Sequence, residues 1–190
     1  MTFNMERILI EKFIQFMLVI FALSGCSSMK TSVEEESERT PETEKIRIEK
    51  IIAKEEQNTG IPHGILNSIA EIESKHKAYA VNARGRAHNF KTKGEAVNFV
   101  NNSLNSGCKN ISIGCLQLHY KTHKKHFSSL NEMFTPEKNA AYAARLLKSL
   151  YNKYGSWEKA IKMYHTSKKK YHKRYHSKVM KAYNFMYRVS

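Results

Sequence analysis

Residues 61–74 read Ile61-Pro62-His63-Gly64-Ile65-Leu66-Asn67-Ser68-Ile69-Ala70-Glu71-Ile72-Glu73-Ser74. Ile65, Leu66, Ile69, Ala70 and Ile72 recur at the three- and four-residue spacing of a helix buried along one face. The segment therefore predicts a core helix opened by Pro62, with Glu73 and Ser74 at its C-terminal end. A carboxylate there faces the negative end of the helix dipole, which disfavours ionisation and suits a proton donor. Upstream, Thr40-Pro41 supply an N-cap and a first-turn proline for a helix with Ile46, Ile51 and Ile52 on one face, stopped by Gly60. Downstream, residues 80–93 read as an irregular or β-like excursion. Lys93–Leu104 reads as a helix with Ala96, Val97 and Val100 inward, broken at Ser106-Gly107.

Asn110–Tyr120 is a mixed segment around Gly114. Thr135-Pro136 cap a longer helix to Tyr154, with Ala140, Ala143, Ala144 and Leu147 on its apolar face and Gly155 at its end. Ser156 caps another carrying Trp157, Ala160, Ile161 and Tyr164, and a final helix runs from about Tyr175 to Arg188. The chain holds only eight Gly and three Pro, which favours helices over a turn-rich β fold. Neither an internal repeat nor a strand pattern sufficient for a large sheet is present. The expectation is a mainly α domain over residues 42–190.

The N-terminus is of another kind. Phe13–Leu23 is an apolar run too short to span a bilayer as an ordinary helix, and it ends in Leu23-Ser24-Gly25-Cys26. Leu-Ser-Gly-Cys resembles the bacterial lipobox, which implies a signal peptide over residues 1–25 and lipidation of Cys26. The alternative, a buried helix followed by a chance cysteine, fits less well because a polar tail follows. Ser27 stands where retention in the inner membrane needs an Asp, so the resemblance implies the periplasmic face of the outer membrane. Residues 26–41, rich in Ser, Thr and Glu, cannot bury enough surface to offset ordering and read as a flexible tether. Export leaves Cys108 and Cys115 to pair in an oxidising compartment or to remain as two buried thiols.

The net charge of +15 is unevenly spread, because residues 61–190 hold 24 Lys and Arg against six Glu. Such a body attracts polyanions: nucleic acid, anionic lipid, or a cell wall whose peptide stems carry carboxylates. Export argues against nucleic acid as a partner. No Asp occurs anywhere, so every carboxylate available for chemistry is a Glu.

Four segments in order carry a resemblance: Glu73-Ser74, Gly114-Cys115-Leu116-Gln117, Asn139-Ala140-Ala141-Tyr142-Ala143-Ala144, and Tyr164-His165-Thr166-Ser167 following Trp157. Together they resemble the lytic transglycosylases over roughly Ile61–Val179. That resemblance implies a lysozyme-like, mainly α-helical domain with a substrate groove, peptidoglycan glycan strands as substrate, and no cofactor or metal. It makes Glu73 the catalytic acid and Ser74 the neighbour that orients its carboxyl group. Gln117 becomes a groove residue, Tyr164 the tyrosine whose hydroxyl lies close to the glutamate, and Tyr175 a second groove tyrosine. Leu116 replaces the family's usual Met, and Thr166 separates His165 from Ser167. The implied reaction cleaves the β-1,4 bond between MurNAc and GlcNAc and closes a 1,6-anhydro ring on MurNAc without water.

The residues themselves favour the same role for one glutamate. Glycosidic cleavage needs a protonated carboxylic acid at the leaving oxygen. An ordinary glycosidase adds a second carboxylate, for which Glu71 and Glu95 are the nearby candidates. Competing readings are a hydrolytic muramidase and a peptidoglycan-binding lipoprotein with a degenerate groove. His119, His123 and His126, or His172 with His176, have helix-face spacing but lack the acids and the H-E-x-x-H pattern of a metal site. The basic run Lys168–Arg174 suits nucleic acid, anionic wall polymer or a membrane surface. Wall turnover, division, and service to a secretion or conjugation apparatus all fit the sequence equally.

Overall fold

Thr40 starts the first helix, its hydroxyl accepting the backbone N–H of Thr43 at 3.2 Å while Pro41 takes the first helical position. A computed structural model describes residues 40–165 and 169–187, except the Lys169 side chain. The proposed signal peptide, Cys26 and nearly all of the proposed tether lie outside these residues. The described residues fall within one compact unit, Arg39–Ser190. Among them no helix is long and apolar enough to cross a membrane.

The chain runs α1 (Pro41–Thr59), α2 (Ile65–Ser74), β1 (Ala80–Ala83), β2 (Arg86–Asn89), α3 (Lys93–Asn105), β3 (Ile111–Ile113) and β4 (Leu118–His119). Then follow α4 (Tyr120–His123), a 3₁₀ turn (Lys124–His126), α5 (Leu130–Met133), α6 (Pro136–Tyr154), α7 (Trp157–His165) and α8 (Lys169–Tyr187). The fold is mainly helical, as expected. The excursion after α2 is a small antiparallel sheet of order β2-β1-β3-β4. Val81 faces Ile113 and Ile113 faces Leu118, and these three side chains are buried. Helix α1 packs on α6, α6 on α7, and α8 against both α7 and α2. Leu66, Ile69, Leu116, Phe134, Leu147 and Val179 are fully buried between them.

Two boundaries and one cap differ from the sequence expectation. Pro62 does not open α2; it starts a turn closed by the Ile65 N–H on its carbonyl at 3.2 Å, and Gly64 at φ 88 precedes the first helical residue. The helix is capped from a distance by Glu56, a buried carboxylate on α1. Its oxygens accept the N–H groups of Gly64 (2.8 Å), Leu66 (2.6 Å) and Asn67 (3.0 Å). These are the donors a helix start leaves unpaired. Burial pushes the Glu56 carboxyl above its usual range, against the pull of those three N–H groups. Thr135 stands at the N-cap of α6 but makes no capping bond; its hydroxyl donates to the Asn131 carbonyl at 3.2 Å, and Pro136 sets the first turn. The last helix begins at Lys169, not near Tyr175. Its basic first turns contain no helix breaker, yet they carry no apolar stripe for periodicity to detect.

Candidate active site

Helix α2 ends at Ser74 because Lys75 (φ 56) and His76 (φ 59) both take the left-handed conformation, which costs non-glycine residues energy and must be held by surroundings. The hold comes from His76, whose side chain is buried. Its Nε2 faces Asn67 Oδ1 and its Nδ1 faces Glu71 Oε2, each at 3.2 Å, with Glu49 Oε1 at 3.8 Å. Burial lowers the His76 pKa, with Glu49 and Glu71 opposing. The Lys75 N–H closes the helix on the Glu71 carbonyl at 3.1 Å. The sharp turn fixes the direction in which Glu73, on the last turn, leaves the helix.

A second turn meets this end. Gly114 (φ 82) and Gln117 (φ 47) are left-handed, and a Cβ on Gly114 would collide with the Asn139 carboxamide, so this position admits only glycine. Asn139, fully buried on α6, accepts from the Leu116 N–H at 3.1 Å and donates to the carbonyls of Ile113 (3.2 Å) and Met133 (2.9 Å). Ser74 ties the two turns together, its hydroxyl donating to the Cys115 carbonyl at 2.7 Å and accepting the Lys77 N–H at 3.1 Å. Ser74 thus fixes the helix end, and its bonds go to backbone, not to the Glu73 carboxyl group.

The Glu73 side chain, 16% exposed, lines a cleft of about 360 Å³ with Ile72, His165, Tyr171, Arg174, Tyr175 and Lys178. Tyr175, anchored with Val179 on the buried face of α8, donates its hydroxyl to Glu73 Oε1 at 2.7 Å. The His165 ring lies parallel to that of Tyr175, centroids 4.3 Å apart, and puts Nδ1 3.7 Å from the same oxygen. The Tyr164 hydroxyl donates to the Leu116 carbonyl at 2.9 Å. Burial first, and the Glu73 charge second, push both tyrosine pKa values well above the usual value, so both remain donors.

Tyr175, expected in the groove, does line the cleft and is also the tyrosine that hydrogen-bonds Glu73, while Tyr164, near enough to feel the Glu73 charge, gives its hydroxyl to the Gly114 turn. Gln117, half-buried, is not among the residues lining the cleft around Glu73; its amide nitrogen donates to the carbonyls of Gly114 (2.9 Å) and Ala80 (3.2 Å). Both alternative acids are engaged away from the cleft. Glu71, half-buried, pairs with His76 and, at 3.6 Å, with Lys45. Glu95 closes a capping box with Thr92 at the start of α3.

The possible disulfide is not formed. Cys108 and Cys115 are buried free thiols, and each is directed to its own acceptor, Asn110 O at 3.7 Å and Asn139 Oδ1 at 3.4 Å. His123 Nδ1 meets the Tyr142 hydroxyl at 2.9 Å, His126 packs on the same ring, and His119 faces Thr122. Thr166, Ser167 and Lys168 lie outside the described residues. His165, Arg174 and Lys178 were not singled out from sequence as site residues. The signals they offered were adjacency to Tyr164 for His165, and three-residue spacing from Tyr171 and Tyr175 for the two cations.

Neither curated proteins nor solved structures gave a match. A family profile did, covering residues 50–185 and so every element from within α1 to near the end of α8. With Glu73, the Gly114 turn and Tyr175 all inside that span, the chain belongs to the transglycosylase SLT domain family, whose substrate is peptidoglycan.

Proposed function

We propose that the protein is a lytic transglycosylase that cleaves the MurNAc-GlcNAc β-1,4 bond and leaves a 1,6-anhydro-MurNAc end, with Glu73 as its only acid and base. The observation that carries this reading is the isolation of that carboxylate. Among the described residues Glu73 is the single acid on the cleft wall, while Glu71 and Glu95 are engaged by His76 and Thr92. Because the Tyr175 hydroxyl donates to Oε1, Oε2 is the oxygen that carries the transferable proton. Protonated Glu73 delivers it to the glycosidic oxygen as the C1–O bond breaks and positive charge grows at C1. The MurNAc 6-hydroxyl then attacks C1, and the Glu73 carboxylate takes the hydroxyl proton, which restores the starting acid. No water is consumed, so no second carboxylate is required to activate one.

Mass spectrometry of digested sacculi tests this. Anhydro-muropeptides are expected; reducing ends with added water would mean a hydrolytic muramidase, and no products a binding lipoprotein. Glu73→Gln keeps size and hydrogen bonding but has no proton to give, so kcat should fall by at least about a hundredfold with unchanged thermal unfolding. Retained activity would refute the assignment. We also propose export and lipidation at Cys26, placing the domain on the periplasmic face of the outer membrane. This rests on Leu23-Ser24-Gly25-Cys26. Labelled palmitate should enter the wild-type protein, and Cys26→Ala should release it from the membrane fraction.

A further inference from the structure

The proposed chemistry uses Glu73 and Tyr175, but the same cleft wall presents three more side chains of α8 that this chemistry leaves without a role. Tyr171, Arg174, Tyr175 and Lys178 are spaced by three and four residues, which puts them on one helix face, and all four line the cleft with Glu73. Tyr175 is buried, whereas Tyr171 is 46% exposed and so is held out in solvent beside the site. Arg174 and Lys178 are exposed as well, and among the described residues neither pairs with a carboxylate. Among the described residues the cleft wall therefore presents one acid, the exposed rings of Tyr171 and His165, and two cations that pair with no carboxylate.

We propose that Tyr171, Arg174 and Lys178 form a substrate subsite that reads the carboxylates of peptide-bearing peptidoglycan, with the Tyr171 ring against a sugar or stem and the two cations on its acidic groups. This deepens the functional reading above and rests on it. An aromatic ring offers a flat apolar surface with little entropy to lose on contact. A guanidinium pairs with a planar carboxylate through two parallel N–H bonds, and Lys178 adds a mobile point charge one turn further along the helix. With few acids on the body around it, the wall of the cleft attracts anions from a distance as well. The subsite thereby favours strands whose stems carry free carboxylates over strands in which they are masked.

The experiment compares native sacculi with sacculi whose carboxyl groups have been converted to amides. Binding of the full chain is measured by co-sedimentation and turnover by muropeptide release. An exposed ion pair contributes up to about a fivefold change in affinity, so wild-type affinity should fall by roughly tenfold on amidation. In Arg174→Gln/Lys178→Gln the affinity for native sacculi should drop to about the amidated level, and amidation should then make little further difference. KM should follow affinity while kcat stays within about twofold. Lys50→Gln/Lys109→Gln removes the same charge at exposed sites on the rest of the domain and should keep most of the selectivity. Equal losses from both double variants, or an undiminished amidation effect in Arg174→Gln/Lys178→Gln, would overturn the subsite. Tighter binding to phosphatidylglycerol vesicles than to native sacculi, lost in the same variant, would overturn it in favour of a membrane surface. Absence of anhydro products from wild-type digests bears on the functional reading alone, because selectivity is read from binding.

Discussion

The hydroxyl of Tyr175 donates to a carboxylate and that of Tyr164 to a backbone carbonyl, and the two bonds have different consequences when removed. A hydrogen bond to a charged group contributes about 1.5–3 kcal/mol, a neutral one about 1 kcal/mol. Tyr175→Phe should therefore lower kcat by about 10- to 100-fold with little change in folding, since Glu73 loses the group that fixes Oε1. Tyr164→Phe leaves the Leu116 carbonyl without this partner and should cost about 1 kcal/mol of stability, with a smaller effect on turnover. Steady-state kinetics and urea unfolding of both variants check the contrast; equal kcat losses would contradict it. Both tyrosines were legible as site residues in the sequence, but their division of labour was not. Which hydroxyl reaches Glu73 depends on how α8 packs against α2, and spacing along the chain does not encode that distance.

Among the elements, the end of α2 has the most unusual backbone, two consecutive left-handed residues held by a buried imidazole. Because burial lowers the His76 pKa in the folded state, the unfolded chain, with an ordinary His near 6.5, binds the proton more readily. Stability is then complete above about pH 6.5 and declines as the pH falls through the unfolded value. His123, whose burial takes its pKa down to about 4, works in the same direction. His76→Asn keeps a residue that tolerates the left-handed region but cannot titrate. Melting temperatures from pH 4.5 to 7.5 should fall less steeply for this variant than for wild type, and an unchanged slope would count against the role given to His76. Helix boundaries marked by local chemistry, such as Thr40-Pro41 and Gly155, could be read from sequence. The start of α2 could not, because its cap is Glu56, which lies on another helix.

For the whole molecule, the excess of cations predicts long-range attraction to the acidic wall. Co-sedimentation with native sacculi should weaken markedly between 50 and 300 mM salt as the Debye length shrinks to below about 8 Å. Salt-independent binding would mean that contact, and not charge, dominates. Charge and helical class were plain from composition, since neither depends on folding detail. The cleft was less so, because its wall combines α2, α7 and α8, and Tyr171 and Arg174 fall in the first turns of α8, which have no apolar pattern.

The two thiols also bear on how this domain is made. Burial takes the Cys115 sulfhydryl up to about 12, leaving almost no thiolate for exchange or alkylation at neutral pH. No covalent cross-link joins it to Cys108. The domain thus keeps its shape without a bridge between these thiols, so a reductant should leave its melting temperature unchanged.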